Sequence, residues 1–338
     1  MEKYDYLIFS PQIGICGQDC KHCYVKDKLR RNKSLSEAKH LLDRFAEVLA
    51  EPAITEHALF YTMDELTLFP NVLGLLSYAR DINILPVPTL STNGAGIAVR
   101  EDWEDILQAL KDSGVHGFNM SFFGEREYHD WFTGREGSFD RALKATRRAE
   151  ENGLWVHWNL FLTSQNVEQL ARVSSMKSDT KKTFSIPGEV PRWKHHADIH
   201  AGIDVFEKIP DELRQFVRDD FHSEREWIEQ ILSGEFQSEE EDCTSEPAQR
   251  IKGIIQSGDT LYLTNIYPGF EIGSIAEASL RDQYEDVSQP PGAVFEENMD
   301  LVESAKRLGI RESDKAYTIH HLHLKWLVES LQDDHWIE

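Results

Sequence analysis

The pattern of apolar and polar residues alternates between two periods along residues 4–205. Short apolar runs predict strands, and stretches with apolar residues three or four positions apart predict helices between them. The strands are expected at residues 6–9, 57–62, 84–90, 116–123, 155–163 and 182–186. The helices are expected at residues 34–49, 71–80, 103–114, 138–153, 167–176 and 211–232.

Six strand–helix units in a row predict a parallel sheet with right-handed crossovers. The fold class is therefore α/β, and six units rather than eight predict a partial (β/α)6 TIM-type barrel with its sites at the carboxyl ends of the strands. The acidic stretch at 235–246 predicts a linker, which divides the chain into a barrel, 1–235, and a small α+β extension, 236–338. The extension is expected to hold a strand at 260–263 and helices at 294–308 and 317–331.

The composition predicts a folded protein without a membrane-spanning segment. Hydrophobic residues make up 40% of the 338 residues, which is enough for a large core. No apolar run is long enough to span a membrane, and the charged N-terminus lacks an apolar signal region. We therefore expect a cytoplasmic protein that is not associated with a membrane.

The charge of the chain is strongly negative. Lys and Arg number 36 against 59 Asp and Glu, a formal net charge of −23. Such a field repels nucleic-acid phosphates, so no nucleic-acid partner is expected. It attracts a cationic small molecule or a basic peptide, although simple solubility explains the same charge.

Three of the four cysteines lie within eight residues. Cys16, Cys20 and Cys23 form a C-x3-C-x2-C loop directly after the first predicted strand. Three thiolates can hold three irons of a cubane cluster and leave the fourth iron open to a small molecule. The alternative is a zinc site completed by His22 or Cys243, since zinc usually takes four ligands.

Several segments follow this loop in a recognisable order. Tyr24 comes directly after the third cysteine, and residues 63–70 after the second strand retain an acidic residue, Glu65, and a trailing proline. A Ser-Thr-Asn-Gly turn follows the third strand, and polar residues recur on the fourth and fifth. Over residues 5–190 the sequence thereby resembles the radical S-adenosylmethionine (SAM) superfamily.

The resemblance implies the cofactors and the roles of individual residues. A [4Fe–4S] cluster would be bound by Cys16, Cys20 and Cys23. SAM would be contacted by Tyr24, Glu65, Ser91, Asn93, Ser121 and Asn159, with Glu65 near the amino group of its methionine. The family cleaves SAM reductively to a 5′-deoxyadenosyl radical that abstracts hydrogen from a substrate, with electrons from a donor such as flavodoxin or ferredoxin.

The C-terminal region resembles a SPASM or twitch extension that has lost most cluster ligands. Cys243 is the one cysteine outside the loop, and His320 and His323 lie one helical turn apart where some relatives carry cysteines. These three side chains could bind a second metal. Alternatively Cys243 is a buried thiol, or it donates a hydrogen atom to a substrate radical, as the resemblance to aminoglycoside epimerases implies.

Three functional hypotheses remain at this point. The first is a radical SAM epimerase acting on a cationic small molecule such as an aminoglycoside. The second is a radical SAM maturase of a ribosomally made peptide, which epimerises, dehydrogenates or cross-links it. The third, from a different class, is a non-catalytic zinc-binding module.

Overall fold

A computed structural model of the chain describes residues 4–21, 23, 31–48, 55–62, 64–161, 165–176, 180–185, 221–235, 251–257, 260–264, 270–274, 302, 305–306 and 316–318. Among these residues, no helix combines the length and the apolar character needed to cross a membrane.

The first three strands form one parallel group. They are β1 (Tyr4–Ser10), β2 (Thr55–Phe60) and β3 (Leu85–Pro86), with β1 and β3 on either side of β2. The helices between them are α1 (Leu35–Val48) and α2 (Val72–Asp81). α1 buries the apolar stripe that its sequence predicts, and its Phe45 ring stacks on Phe9 of β1 with 5.0 Å between centroids.

A second sheet of four parallel strands continues the series. It consists of β4 (Thr89–Ser91), β5 (Gly117–Phe122), β6 (Trp155–Phe161) and β7 (Lys181–Ser185), hydrogen-bonded in chain order. The helices of this half are α3 (Ala95–Val99), α4 (Trp103–Asp112), α5 (Arg126–Thr133), α6 (Ser138–Glu151) and α7 (Val167–Ser175). The repeated strand–helix order confirms the α/β class and the partial barrel.

The single strand predicted at 84–90 is wrong. The segment forms β3 and β4, which belong to different sheets. Pro86 and Pro88 lack the N–H group that a continuous ladder requires, and the chain changes sheet between them. Between β3 and β4 the chain is still hydrogen-bonded to residues next to the strands on both sides. Val87 N–H donates to Phe60 O at 3.0 Å, and Pro88 O accepts from His116 N–H at 2.8 Å.

The later part of the chain adds β8 (Phe221–Ser223), α8 (Glu224–Ser233), β9 (Ile251–Ser257), β10 (Thr260–Thr264), β11 (Phe270–Ser274) and β12 (Ala316–Thr318). β9 pairs in parallel with β1, and β10 and β11 follow it antiparallel. Strands of the predicted extension therefore continue the first barrel sheet. The domain boundary at 235/236 stays a prediction.

Two predicted helices are wrong in part. The helix expected over 211–232 is not continuous, because residues 221–223 form β8 and a helix begins at Glu224, after the capping box of Ser223 and Glu226. Residues 211–220 lie outside the described residues. The helix expected over 317–331 gives way at 317–318 to β12, which pairs antiparallel with β8. The periodic pattern of 317–331 could not reveal this pairing, because the two strands are far apart in the sequence.

One close approach between backbones offers a stability test. A Cβ added to Gly96 in α3 would stand 2.1 Å from the carbonyl oxygen of Thr67, whereas one added to Gly74 in α2 meets only a flexible Leu35 methyl at 3.1 Å. We expect Gly96→Ala to lower the free energy of unfolding by about 1–3 kcal/mol, because backbone atoms must move apart. Gly74→Ala should be nearly neutral, since its gain in helix propensity of up to about 1 kcal/mol offsets the tight contact. Urea unfolding of the two variants measures the difference, and equal losses would contradict it.

Candidate active site

A cavity of about 150 Å³ opens at the carboxyl ends of the strands. This is the end at which partial and complete barrels of this type place their sites. The cavity is lined by Cys16, Gln18, Cys20, Asp64, Glu65, Ser91, Thr92, Asn93, Asn119, Met120, Ser121, Phe123, His129 and Ala142. Six separate segments of the sequence therefore contribute to one wall.

The segment leading to the cysteine loop is attached to the end of β2. The Oδ2 atom of Asp64 accepts hydrogen bonds from the N–H groups of Ile13 and Gly14, both at 2.7 Å. The next N–H, that of Ile15, donates to Asn32 Oδ1 at 2.9 Å. Three successive peptide groups are thus held before the first cysteine.

The cysteine loop itself rests on the carboxyl end of α5. Asp19 N–H donates to Thr133 O at 2.8 Å, and Lys21 N–H donates to Phe132 O at 2.9 Å. The Lys21 ammonium lies 4.2 Å from the centroid of the Trp131 ring, a cation–π contact. The helix thereby satisfies two of its terminal carbonyls with the loop, and the loop gains a rigid support.

Glu65 is buried and its carboxylate is surrounded by donors. Oε1 accepts from Thr67 N–H at 3.2 Å, from Thr67 Oγ1 at 2.5 Å and from Thr92 Oγ1 at 2.8 Å. Oε2 accepts from Thr92 Oγ1 at 2.8 Å and from Asn93 N–H at 2.7 Å. Burial raises the pKa of this carboxyl, and the hydrogen bonds from Thr67, Asn93 and Thr92 oppose that rise.

The neighbouring Asp64 differs from Glu65 in one respect. Its Oδ1 atom is the single buried side-chain nitrogen or oxygen, within the part of the chain that the structure describes, that has no hydrogen-bond partner. Burial raises the pKa of Asp64 to about 6, against the hydrogen bonds from Gly14 and Ile13. An acceptor in this state is ready to bind a donor from a ligand.

Asn93 connects the end of β4 to the cysteine loop. Its Nδ2 atom donates to Cys16 O at 2.9 Å and lies 3.5 Å from Cys16 Sγ. The following Gly94 has φ of 73°, the left-handed conformation that an Asn-Gly turn requires. Glu65, Asn93 and Cys16 form a continuous series of contacts from β2 to β4 to the loop.

Strands β4 and β5 present polar groups side by side. Ser91 is paired with Asn119 in the ladder, and Ser121 lies two residues further along β5. The Asn119 Oδ1 atom and the His157 Nδ1 atom are 2.8 Å apart, which links β5 to β6. Ser91, Asn119 and Ser121 all line the cavity, whereas Asn159 of β6, although in register with Ser121, does not.

His129 of α5 closes one side of the cavity among aromatic rings. It is only 1% exposed, with the rings of Phe122, Phe123 and Phe139 centred 5.5–5.6 Å from its own. Its Nδ1 atom accepts from Phe123 N–H at 3.4 Å, which leaves the proton on Nε2. Burial lowers the pKa of His129 to about 4, so the ring is neutral near pH 7.

The cavity wall includes many of the residues predicted from the sequence. Cys16, Cys20, Glu65, Ser91, Asn93 and Ser121 are on it. Cys23 belongs to the same loop, where its N–H donates to Cys20 O at 3.0 Å, but it is not on the wall. Tyr24, Cys243, His320 and His323 lie outside the described residues.

Other wall residues were not predicted from the sequence. Asp64 directly precedes Glu65 and Asn119 lies two residues before Ser121, whereas His129 has no predicted residue near it in the sequence. Among the described side chains, no three His, Cys, Asp or Glu come together as ligands of one metal ion. A cubane places each thiolate on a different iron, so three thiols spread along a loop at the cavity fit such a cluster.

Residues 11–173 match the model of the radical SAM superfamily. These residues form a radical SAM domain. The enzymes of this family use a [4Fe–4S] cluster and SAM for radical chemistry, so both cofactors belong to this protein as well. The hypothesis of a non-catalytic zinc-binding module is therefore set aside.

One related sequence and two solved structures illustrate the similarity. A 190-residue segment, 55% of this chain, is 28% identical to the Fe-coproporphyrin III synthase of Methanosarcina barkeri (strain Fusaro / DSM 804) and spans only 42% of that protein. The protein anSMEcpe, solved with bound AdoMet and the Cp18Cys peptide, aligns over 97% of each chain with a TM-score of 0.55 and 15% identity. Its structure with AdoMet and the Kp18Cys peptide gives a TM-score of 0.53 at 14% identity and the same coverage. At these identities the structures establish a shared fold.

The buried imidazole of His129 predicts a loss of stability in acid. Its pKa is 6.5 when unfolded and about 4 when folded, so between these values the unfolded chain binds more protons. The stability that the neutral ring provides above pH 6.5 is lost as the pH falls towards 4. At ~1.4 kcal/mol per pKa unit, the loss between pH 7.5 and 5 is about 2 kcal/mol.

We expect His129→Gln to remove this part of the pH dependence, as measured by urea unfolding at pH 7.5, 6 and 5. The exposed His116 supplies the matched control, because His116→Gln should leave the wild-type slope unchanged. Parallel curves for His129→Gln and wild type would show that the ring is solvated in the folded protein.

Proposed function

We propose that this radical SAM enzyme binds its cluster through Cys16, Cys20 and Cys23 and acts on a C–H bond of a cationic small molecule. The observation that carries the proposal is the shared cavity, where Cys16 and Cys20 meet polar side chains from the ends of β2, β4 and β5. When bound, the cluster and SAM supply an electron and a 5′-deoxyadenosyl radical that removes the hydrogen atom. An electron donor such as flavodoxin or ferredoxin would reduce the cluster.

The chain's contribution to the cofactors is to bind and orient them. Thiolates of the loop would bind three irons, and hydrogen bonds to Asp64 after β2 and to the end of α5 support the loop. Hydroxyls of Ser91 and Ser121 on adjacent strands are available to SAM, and Tyr24 and Asn159 stay proposed SAM contacts. Fixing both cofactors in one cavity replaces a bimolecular encounter by a positioned one.

The ammonium group of SAM needs a carboxylate acceptor, and two are at hand. Glu65 already accepts from four protein donors, and the Thr92 hydroxyl is shared between its two oxygens. Asp64 retains an oxygen without a partner. We therefore propose that Asp64 shares or takes over the role that the resemblance gives to Glu65, while Glu65 positions Thr92 and Asn93.

The remainder of the cavity wall suits radical chemistry. Met120, Phe123 and Ala142 provide apolar surface, and Phe123 stacks on Phe132 with 4.2 Å between ring centroids. Packed apolar side chains exclude water from the place where the radical would form. The wall therefore favours transfer of a single hydrogen atom from a bound substrate.

The proposed substrate class follows from charge. A net charge of −23 concentrates cations near the protein and repels anions. Epimerisation is the proposed outcome, with Cys243 as the thiol that returns a hydrogen atom to the opposite face of the substrate. The Cys243 thiyl radical left behind would take up one electron from the electron donor and one proton from solvent to restore the thiol. Coproporphyrin III carries four carboxylates, so the substrate class of the Methanosarcina relative fits this charge less well.

A ribosomally made peptide is the second candidate substrate. Two structures of similar fold, those of anSMEcpe, contain bound peptides, and a basic peptide would be attracted by the same negative field. In that case the outcome would be epimerisation, dehydrogenation or cross-linking of the peptide.

The cluster assignment predicts the iron content of a variant. Anaerobically reconstituted wild-type protein should hold about four irons and four sulfides per chain, which is one cubane. Changing Cys16, Cys20 and Cys23 together to Ala should remove the cluster and with it the release of 5′-deoxyadenosine from SAM under a strong reductant. Cys243→Ser is the matched control and should keep both. A full cluster in the triple variant would refute the assignment.

The substrate assignment predicts a response to charge and an isotope signature. Cationic amino sugars and polyamines should raise 5′-deoxyadenosine release several-fold above the rate without substrate, and a true substrate turned over in heavy water should gain one deuterium at the inverted carbon. The deuterium comes from the Cys243 thiol, which exchanges with solvent.

Cys243→Ser should still cleave SAM but lose the epimerised product, because an O–H bond is too strong to donate its hydrogen atom readily. Stimulation by basic peptides alone would favour the second candidate. Normal product from Cys243→Ser would exclude this cysteine as the hydrogen donor.

A further inference from the structure

The side-chain amide of Asn93 touches a cysteine that is proposed to bind the cluster. Its Nδ2 atom donates to the backbone oxygen of Cys16 at 2.9 Å and approaches the Sγ atom of the same residue at 3.5 Å. Sulfur is a larger acceptor than oxygen, so the longer distance is that of an N–H···S contact. The side-chain amide of Asn93 thus contacts both the backbone and the thiol of Cys16.

The orientation of this amide is fixed by its surroundings. The Oδ1 atom accepts the N–H of Ala95 at 2.9 Å, a role that only the oxygen of an asparagine can fill. The nitrogen must then face Cys16, where a carbonyl oxygen needs a donor. The backbone N–H of Asn93 is held in turn by Glu65 Oε2 at 2.7 Å. Both ends of the amide and its backbone are therefore constrained.

We infer that Asn93 is a positioning residue that tunes the reduction potential of the cluster through an N–H···S hydrogen bond to Cys16. The inference rests on the proposed role of Cys16 as a cluster ligand. A hydrogen bond to a thiolate is charge-assisted and is stronger than one to a neutral acceptor. The reduced cluster carries one more negative charge, part of it on its sulfurs, so the bond stabilises the reduced state more than the oxidised state.

This role differs from the contact with SAM that the resemblance implies for Asn93. The amide nitrogen already contacts two acceptor atoms of Cys16, and the amide oxygen already accepts from Ala95 N–H. A residue that binds SAM affects the affinity for SAM, whereas a residue that binds the ligand sulfur affects the potential even when SAM is absent. The two roles therefore have separate readouts.

The test is a reductive titration of the anaerobically reconstituted, full-length protein without SAM, followed by electron paramagnetic resonance. Asn93→Ala removes the donor, and we expect the equilibrium constant for reduction of the cluster to fall about tenfold. For a one-electron couple this moves the midpoint potential by about 59 mV to more negative values. Asn93→Asp keeps the size of the side chain and the acceptor for Ala95 but places a negative oxygen beside the sulfur, so its shift should be larger.

Asn152→Ala is the matched control. Asn152 follows α6 at the opposite end of the strands and likewise donates its Nδ2 to a backbone oxygen, that of Arg148 at 2.8 Å. This variant should keep the wild-type potential. The affinity for SAM, measured by calorimetry on the oxidised protein, should stay within about twofold of wild type in Asn93→Ala.

Each remaining outcome overturns the inference. An unchanged potential with weakened SAM binding would make Asn93 a SAM ligand instead. If both Asn93 variants lose the cluster but keep the circular dichroism of folded protein, Asn93 only holds the loop in place and does not set the reduction potential. A cluster that persists after the three loop cysteines are changed would refute the proposed cluster ligands themselves, a result separate from either of these.

Discussion

The geometry of the cavity depends on one buried carboxylate. Placing a charge in the interior is costly unless hydrogen bonds replace the lost water, and Glu65 meets that condition with donors from its own turn and from the end of β4. Its neighbours cannot move independently, because each lost bond would leave part of the charge unsatisfied. The end of β2 and the end of β4 are thereby joined although their strands belong to different sheets.

The cysteine loop benefits from this fixed frame. Asp64 holds its entry, Asn93 holds its first cysteine, and the last turn of α5 holds its middle. Loops without such supports lose conformational entropy when they bind a cofactor, and that loss weakens binding. In this protein those hydrogen bonds order the loop, so less conformational entropy is lost when a cofactor binds.

Local sequence was sufficient to predict most of the barrel and part of the site. The strand–helix rhythm is a periodic signal, and Cys16, Ser91 and Ser121 lie in short motifs next to strand ends. His129 could not be found this way, because only the packing of α5 brings it to the cavity. The unpartnered oxygen of Asp64, on which its proposed role rests, was equally hidden, since it depends on which donors lie nearby in space. β12 was mistaken for part of a helix because its partner strand is almost a hundred residues away.

The position of β1 has a consequence for synthesis of the protein. β1 lies between β2 and β9, and its residue Tyr6 pairs with Ile251. At about 5–20 residues per second on the ribosome, roughly 12–50 s pass between the appearance of β1 and that of its second neighbour. During that interval the backbone N–H and C=O groups along one edge of β1 have no β9 to pair with, so the first sheet cannot be completed until the chain beyond residue 251 has been made.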